Sequence, residues 1–159
     1  MTWLRRLRPA RSEKSATAGS AGAASRPAGG GPRTPRQRAG DAAEDAACAH
    51  LVSKGCTIVA RNARFREGEL DIVAREGDTL VFVEVRLRSG ARFGGAGASV
   101  DAFKRKRLVR AAQHWLLQTY GGEPRSGRTQ GWPTCRFDVI TADASGVTGW
   151  IRDAFAAEE

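Results

Sequence analysis

The stretch ELDIVAREGDTLVFVEVR, from Glu69 to Arg86, decides the fold. Two runs rich in Val, Ile, Leu and Phe flank Gly77-Asp78, and Gly followed by Asp suits a two-residue type II′ turn. The stretch therefore reads as a β-hairpin in which Glu76 faces Thr79 and Val73 faces Phe82. Two steps further on, Asp71 faces Glu84, and Glu69 faces Arg86. One face of the hairpin carries Leu70, Ile72 and Ala74 with Val81, Val83 and Val85. The other carries the acids, but also Val73 opposite Phe82, so both sides are apolar near the middle. That is the pattern of a central hairpin, not of an edge.

Upstream of the hairpin, Thr57 to Asn62 (TIVARN) reads as a strand. Before it, Asp41 with Glu44 three residues on resembles a helix cap, and Ala42, Ala43, Ala46, Ala47 and Leu51 follow at helical spacing. Lys54-Gly55 supplies the stop. Downstream come a Gly-rich loop, Ser89 to Gly97, and an amphipathic helix from Asp101 to about Tyr120. Its apolar face is read as Phe103, Leu108, Ala111, Ala112, Trp115 and Leu116. A polar, turn-rich stretch, a strand at Arg136 to Thr141 and a short closing element at Gly149 to Phe155 complete the chain. The order αβββαβ predicts an α/β fold with a mixed central sheet flanked by helices.

That fold occupies residues 40–159. Residues 1–39 are Ala, Gly, Ser, Pro and Arg with almost no apolar periodicity, and are expected to form a disordered arm. The formal charge of +9 is unevenly placed: the arm holds nine basic residues and one acid, the remainder 17 basic and 16 acidic. The basicity thus belongs to the arm, which rules out a uniformly basic, histone-like body. The arm reads either as a phosphate-touching extension or as a dispensable one from a start codon set too early. It resembles an organelle transit peptide only superficially, and it lacks the apolar core of a signal peptide. No stretch approaches the ~20 apolar residues of a membrane span. Cys48, Cys56 and Cys135 are widely spaced without paired His, which argues against a disulfide framework or a structural zinc site and for reduced thiols in a cytoplasmic protein. His50 and His114 stand alone and read as structural or surface residues.

Two opposed carboxylates in a partly buried sheet repel each other. A shared proton, a neighbouring cation or a bound divalent metal relieves that cost. Oxygen-only ligands suit Mg²⁺ or Mn²⁺, held by Asp71 and Glu84. Such an ion polarises a phosphoryl oxygen, and Arg86 on the same face would stabilise the charge of a phosphodiester under attack. The plainer reading is an ion-pair network in which Arg86 bridges Glu69 and Glu84.

The residues Gly68-Glu69-Leu70-Asp71-Ile72-Val73, then Val81-Phe82-Val83-Glu84-Val85-Arg86-Leu87-Arg88, resemble the signature of the YraN-like family of bacterial proteins. Gly40-Asp41 with Glu44, Asn62, Phe93-Gly94, the Lys104 segment, Arg136-Phe137-Asp138-Val139 and Asp153-Ala154-Phe155 follow in that family's order. The resemblance covers roughly Gly40 to Phe155. It implies a restriction-endonuclease-like fold related to Holliday-junction resolvases. In that fold Asp71, Glu84 and position 86 correspond to a D…(D/E)xK metal and phosphate site. Glu44 matches the first-helix acid that often completes such a site, and Glu69 belongs to the same motif. One departure stands out: Arg86 occupies the Lys position. Arg stays protonated and only donates, so water activation would fall to the metal, Glu69 or Glu44.

The basic run Lys104-Arg105-Lys106-Arg107, with Arg110 and with Arg64, Arg66, Arg88 and Arg92 on the flanking loops, reads as a phosphate-binding surface or as a solvated helix face. The Gly-rich loop lacks both GxGxxG and a following Lys-Ser/Thr, so it is no P-loop. Arg136 and Asp138 read as a structural ion pair. The expected activity is metal-dependent endonucleolytic cleavage of DNA, with branched or structured DNA and a homodimer suggested by the resolvase resemblance. A non-catalytic nucleic-acid-binding module that keeps the fold is the alternative, and a protein–protein adaptor with vestigial acids is a third.

Overall fold

A computed structural model of the chain describes residues 32–88, 101–121 and 132–157. The elements in chain order are α1 (Pro35–Ser53), β1 (Thr57–Arg64), β2 (Glu69–Glu76), β3 (Thr79–Leu87), α2 (Ala102–Tyr120), β4 (Thr134–Asp143) and β5 (Gly146–Phe155). The five strands form one sheet in the order β1-β2-β3-β4-β5, antiparallel throughout except for the parallel pair β3/β4. A parallel neighbour requires a crossover, and α2 is that crossover. The mixed sheet with helices on both faces is the α/β architecture expected from the sequence.

The hairpin register is the one the turn dictates. Glu76 pairs with Thr79, Arg75 with Leu80, Ala74 with Val81, Val73 with Phe82 and Ile72 with Val83. Gly77 has φ +56° while Asp78 is not among the positive-φ residues, as a type II′ turn requires.

Each face of the sheet has its own core. Under α2 lie Val73, Leu80, Phe82, Phe137, Val139 and Phe155 with Leu108, Trp115 and Leu116 from the helix. Under α1 lie Ile72, Ala74, Val81, Val83 and Ile140 with Ala47 and Leu51. The central strands β2 and β3 are thus covered on both sides, and their apolar positions need no strict alternation.

Three local expectations are corrected. First, α1 begins at Pro35, not at Asp41. Thr34 caps it, accepting from the Gln37 amide while the Gln37 side chain accepts from the Thr34 amide, with Pro at the first helical position. Asp41 and Glu44 therefore lie inside the helix, and so does Gly40. The rest of the arm falls outside the described residues. Second, Leu70 lies under α2 with Val73, not with Ile72 on the α1 side. Third, Phe103 is 72% exposed and not part of the buried helix face, which instead includes Val109. Among the described residues no helix is long and apolar enough to cross a membrane.

Candidate active site

The β2/β3 ladder runs from the turn to Ile72–Val83 and stops. Beyond that point β2 stays with β1, through Leu70–Ala63 and Glu69–Arg64, while β3 stays with β4, through Glu84–Val139 and Arg86–Thr141. The sheet forks, and the first residues past the fork are Asp71 and Glu84. The Asp71 side chain fills the gap: its Oδ2 accepts from the Val85 amide at 2.8 Å. A side-chain acceptor thus serves an amide on the β2 side of β3. Leu70, the next residue past Asp71 on β2, is where the alternation of the hairpin is broken.

Glu84 is 4% exposed, and the carboxylates of Asp71 and Glu84 act on each other directly. Burial and the Glu84 charge push the Asp71 carboxyl up to about 7, against the pull of the Val85 amide and Lys104. The charge on Glu84 is met by Lys104, whose Nζ pairs with Glu84 Oε1 from the first turn of α2. The run 104–107 is therefore not a single solvated stripe. Lys104 turns inward, and Lys106 is exposed. Arg107 donates to the Glu67 carbonyl oxygen at 3.1 Å, with its guanidinium 6.0 Å from the Phe103 ring centroid. Arg105 is half-buried, and Arg88 is exposed at the end of β3.

The remaining candidates separate into those the fold brings in and those it does not. Glu44, on α1, receives a 2.9 Å hydrogen bond from Asn62 Nδ2, and its charge acts on Asp71. Burial raises its pKa, with the Asn62 bond opposing. Asn62 stands at the β1 position next to Asp71 and adopts φ 52°, a left-handed conformation that Asn tolerates better than most residues. Sequence reasoning placed Asn62 in the family pattern without a role; its signal was a polar residue ending a strand-like run opposite an acid. Glu69 pairs with Arg64 at 2.9 Å across the β1/β2 ladder and does not face Arg86 across β3. Arg86, two residues past Glu84 on β3, is half-buried. Arg92 lies outside the described residues, as does the Gly-rich loop.

Among the described residues no three His, Cys, Asp or Glu side chains converge to hold an ion by themselves. Asp71 and Glu84 supply two carboxylates, a hard donor pair of the kind Mg²⁺ accepts while keeping several waters.

At the other end of β4, Arg136 and Asp138 form the ion pair expected of them. Asp138 is fully buried and accepts from Arg136 Nε and Nη2, from Trp150 Nε1 at 2.9 Å and from the Asp153 amide at 2.9 Å. Arg136 also reaches Glu76, which Arg152 clamps from β5. The three cysteines are free thiols.

A profile described as "Uncharacterised protein family UPF0102" matches residues 43–142. A UPF0102 protein of Methylobacillus flagellatus is 47% identical over 121 residues, covering 74% of this chain and 96% of its own. One of Dechloromonas aromatica is 48% identical over 120 residues, covering 76% and 90%. One of Xanthomonas euvesicatoria pv. vesicatoria is 51% identical over 127 residues, covering 78% and 96%. The matched segment contains both acids, the fork and Lys104, and the chain belongs to the UPF0102 family.

Proposed function

We propose that this protein is a metal-dependent DNA endonuclease that hydrolyses phosphodiesters at the fork between β2 and β3, in the cytoplasm. The observation that carries the reading is the pair Asp71 and Glu84, held together where the ladder opens and short of positive charge for their burial. Pairs of buried like charges are costly to keep, and they cluster where a protein needs them.

In this reading Asp71 and Glu84 hold Mg²⁺ or Mn²⁺. When bound, such an ion polarises a phosphoryl oxygen and lowers the pKa of its water. Arg86 donates to the phosphate and stabilises the charge that grows there, which it does at any working pH because it stays protonated. It cannot accept a proton. Glu44 suits that task better than Glu69: Asn62 orients it and burial raises its affinity for protons, whereas Glu69 is tied to Arg64. The basic residues around α2 and Arg88 position the sugar–phosphate backbone without reading bases. Branched DNA is the substrate to try first, because the family the sequence resembles is related in fold to the Holliday-junction resolvases. A homodimer is the assembly that cuts both strands symmetrically.

The test is cleavage of labelled four-way junction, duplex and single-stranded DNA with Mg²⁺ or Mn²⁺, wild type beside Asp71→Asn and Glu84→Gln. Metal-dependent cutting that falls to background in both variants is expected. Equal cutting by all three proteins would sink the assignment. Arg86 in place of Lys favours a second reading, a binding module without chemistry. No cutting, together with metal-independent DNA binding that Asp71→Asn leaves unchanged, would select it.

A further inference from the structure

Lys104 is one of four consecutive basic residues in the sequence, and it is paired with Glu84, a buried acid of the site. Its backbone is fixed at the start of α2, where the N-cap Asp101 Oδ1 accepts from the Lys104 amide at 2.8 Å. One turn on, the helix is locked against the β1–β2 connection. A Cβ on Gly68 would meet the Arg107 carbonyl oxygen at 3.0 Å, and Arg107 Nε donates to the Glu67 carbonyl. Leu108 then buries itself in the core. The helix end is thus rigid while the Lys104 side chain is half exposed, a flexible stem carrying a point charge from solvent into the fork.

What that charge does follows from its partner. Glu84 Oε1 is the oxygen the ammonium engages, and it belongs to one of the two carboxylates able to hold a divalent ion. An ammonium and a dication on the same carboxylate repel each other strongly where water is scarce. The acid at this helix end is the N-cap Asp101, whose Oδ1 already accepts from the Lys104 amide, and the first turn that follows contains no other. Lys104, Arg105, Lys106 and Arg107 leave that end of the helix strongly positive, and an incoming phosphate is the natural counter-charge.

Building on the nuclease reading, we propose that Lys104 is a tethered stand-in cation: it neutralises Glu84 while the site lacks metal, is expelled when a divalent ion binds, and then grips a phosphate of the DNA. Metal and Lys104 are antagonists at Glu84, and DNA removes the antagonism by giving Lys104 another partner. Because binding couplings are reciprocal, DNA tightens metal binding and metal tightens DNA binding, and Lys104 adds to the coupling that the ion's own contact with the phosphate supplies.

The experiment is titration of the full chain with Mn²⁺, followed by electron paramagnetic resonance of the free ion, with and without a short duplex DNA. Wild type, Lys104→Met, Lys104→Arg and Glu84→Gln are compared, with circular dichroism confirming that each is folded. Without DNA, Lys104→Met should bind Mn²⁺ about 5-fold tighter than wild type or more, and Lys104→Arg should stay near wild type. DNA should tighten Mn²⁺ binding in both proteins, because the ion also meets a phosphoryl oxygen, but about 5-fold more in wild type than in Lys104→Met. If Mn²⁺ binds wild type and is lost in Glu84→Gln, yet Lys104→Met binds it equally or more weakly, the stand-in role is overturned and the metal site survives. If wild type binds no Mn²⁺ with or without DNA, the nuclease reading falls with it.

Discussion

The protein contains two clusters of buried charge on one sheet, and they are built on opposite principles. Around Asp138, acids and bases balance. Arg136 and Trp150 turn their donors onto one carboxylate, the Asp153 amide adds another, and Arg136 and Arg152 share Glu76. Arg136 holds the Glu76 carboxyl below the usual carboxylate range, and the Arg152 guanidinium lies 4.1 Å from the Trp150 ring centroid. Around Asp71, acids crowd acids. Glu84 and Glu44 act on it together, its carboxyl is pushed up, and the Val85 amide and the flexible Lys104 oppose the shift. A satisfied network fixes a fold, whereas a frustrated one holds a place open for a charge from outside. The contrast locates the site more sharply than burial does, since Glu84 and Asp138 are almost equally hidden.

Removing an acid from each cluster should therefore move stability in opposite directions. The largest effect is expected for Asp138→Ala, which leaves Arg136 half-buried without its main partner and the Trp150 indole without its acceptor. A loss of about 3–5 kcal/mol in urea unfolding is expected. A loss below about 1 kcal/mol would show that the network is not the structural lock described.

Asp71→Asn should do the reverse. The Asp71 carboxyl holds its proton more tightly in the folded chain, at about 7, than at its ordinary value near 3.8. Between those pH values the folded state binds more protons than the unfolded one. Wild-type stability should therefore fall as pH rises from about 4 to about 7, and then level off. The Asn variant, which keeps an acceptor for the Val85 amide, should lack that decline and exceed wild type at pH 8 by on the order of 2 kcal/mol. Parallel pH–stability curves for the two proteins would remove the frustration from the comparison.

The smallest effect belongs to the residue that joins α1 to the acid cluster. Asn62→Ala loses the hydrogen bond to Glu44 and places Ala at a left-handed φ, for a cost of about 1–2 kcal/mol in the same assay. Asn62→Gly restores the backbone freedom and should recover part of it.

Much of this arrangement was legible in the sequence because the decisive contacts are local. Gly77-Asp78 sets a register that runs unbroken to Ile72–Val83, and it places Asp71 and Glu84 side by side without any tertiary information. Lys54-Gly55 likewise marks the end of α1, with Gly55 at φ +86°. The start of α1 was hidden because Thr34-Pro35 with Gln37 sits in a stretch whose composition reads as unstructured. Asp41 and Glu44 also imitate a cap three residues apart. The fork was illegible for another reason: there the Asp71 side chain accepts from a β3 amide in place of a backbone carbonyl, and no periodicity records that. Lys104 reaches Glu84 across 20 residues of chain, and charge runs look alike whether they face water or an acid.

The order of the chain around the fork also bears on how the molecule assembles. A tight hairpin forms from neighbours in about 1–10 μs, whereas the parallel partner β4 and the helix that carries Lys104 come together only when the crossover closes. The chain thus brings Asp71 against Glu84 early and receives their counter-charge late. Repulsion belongs to the barrier, and protons lower it. Stopped-flow refolding should be faster at pH 5 than at pH 8, and Asp71→Asn should abolish the difference, so that the feature marking the site also sets the pace at which the protein is made.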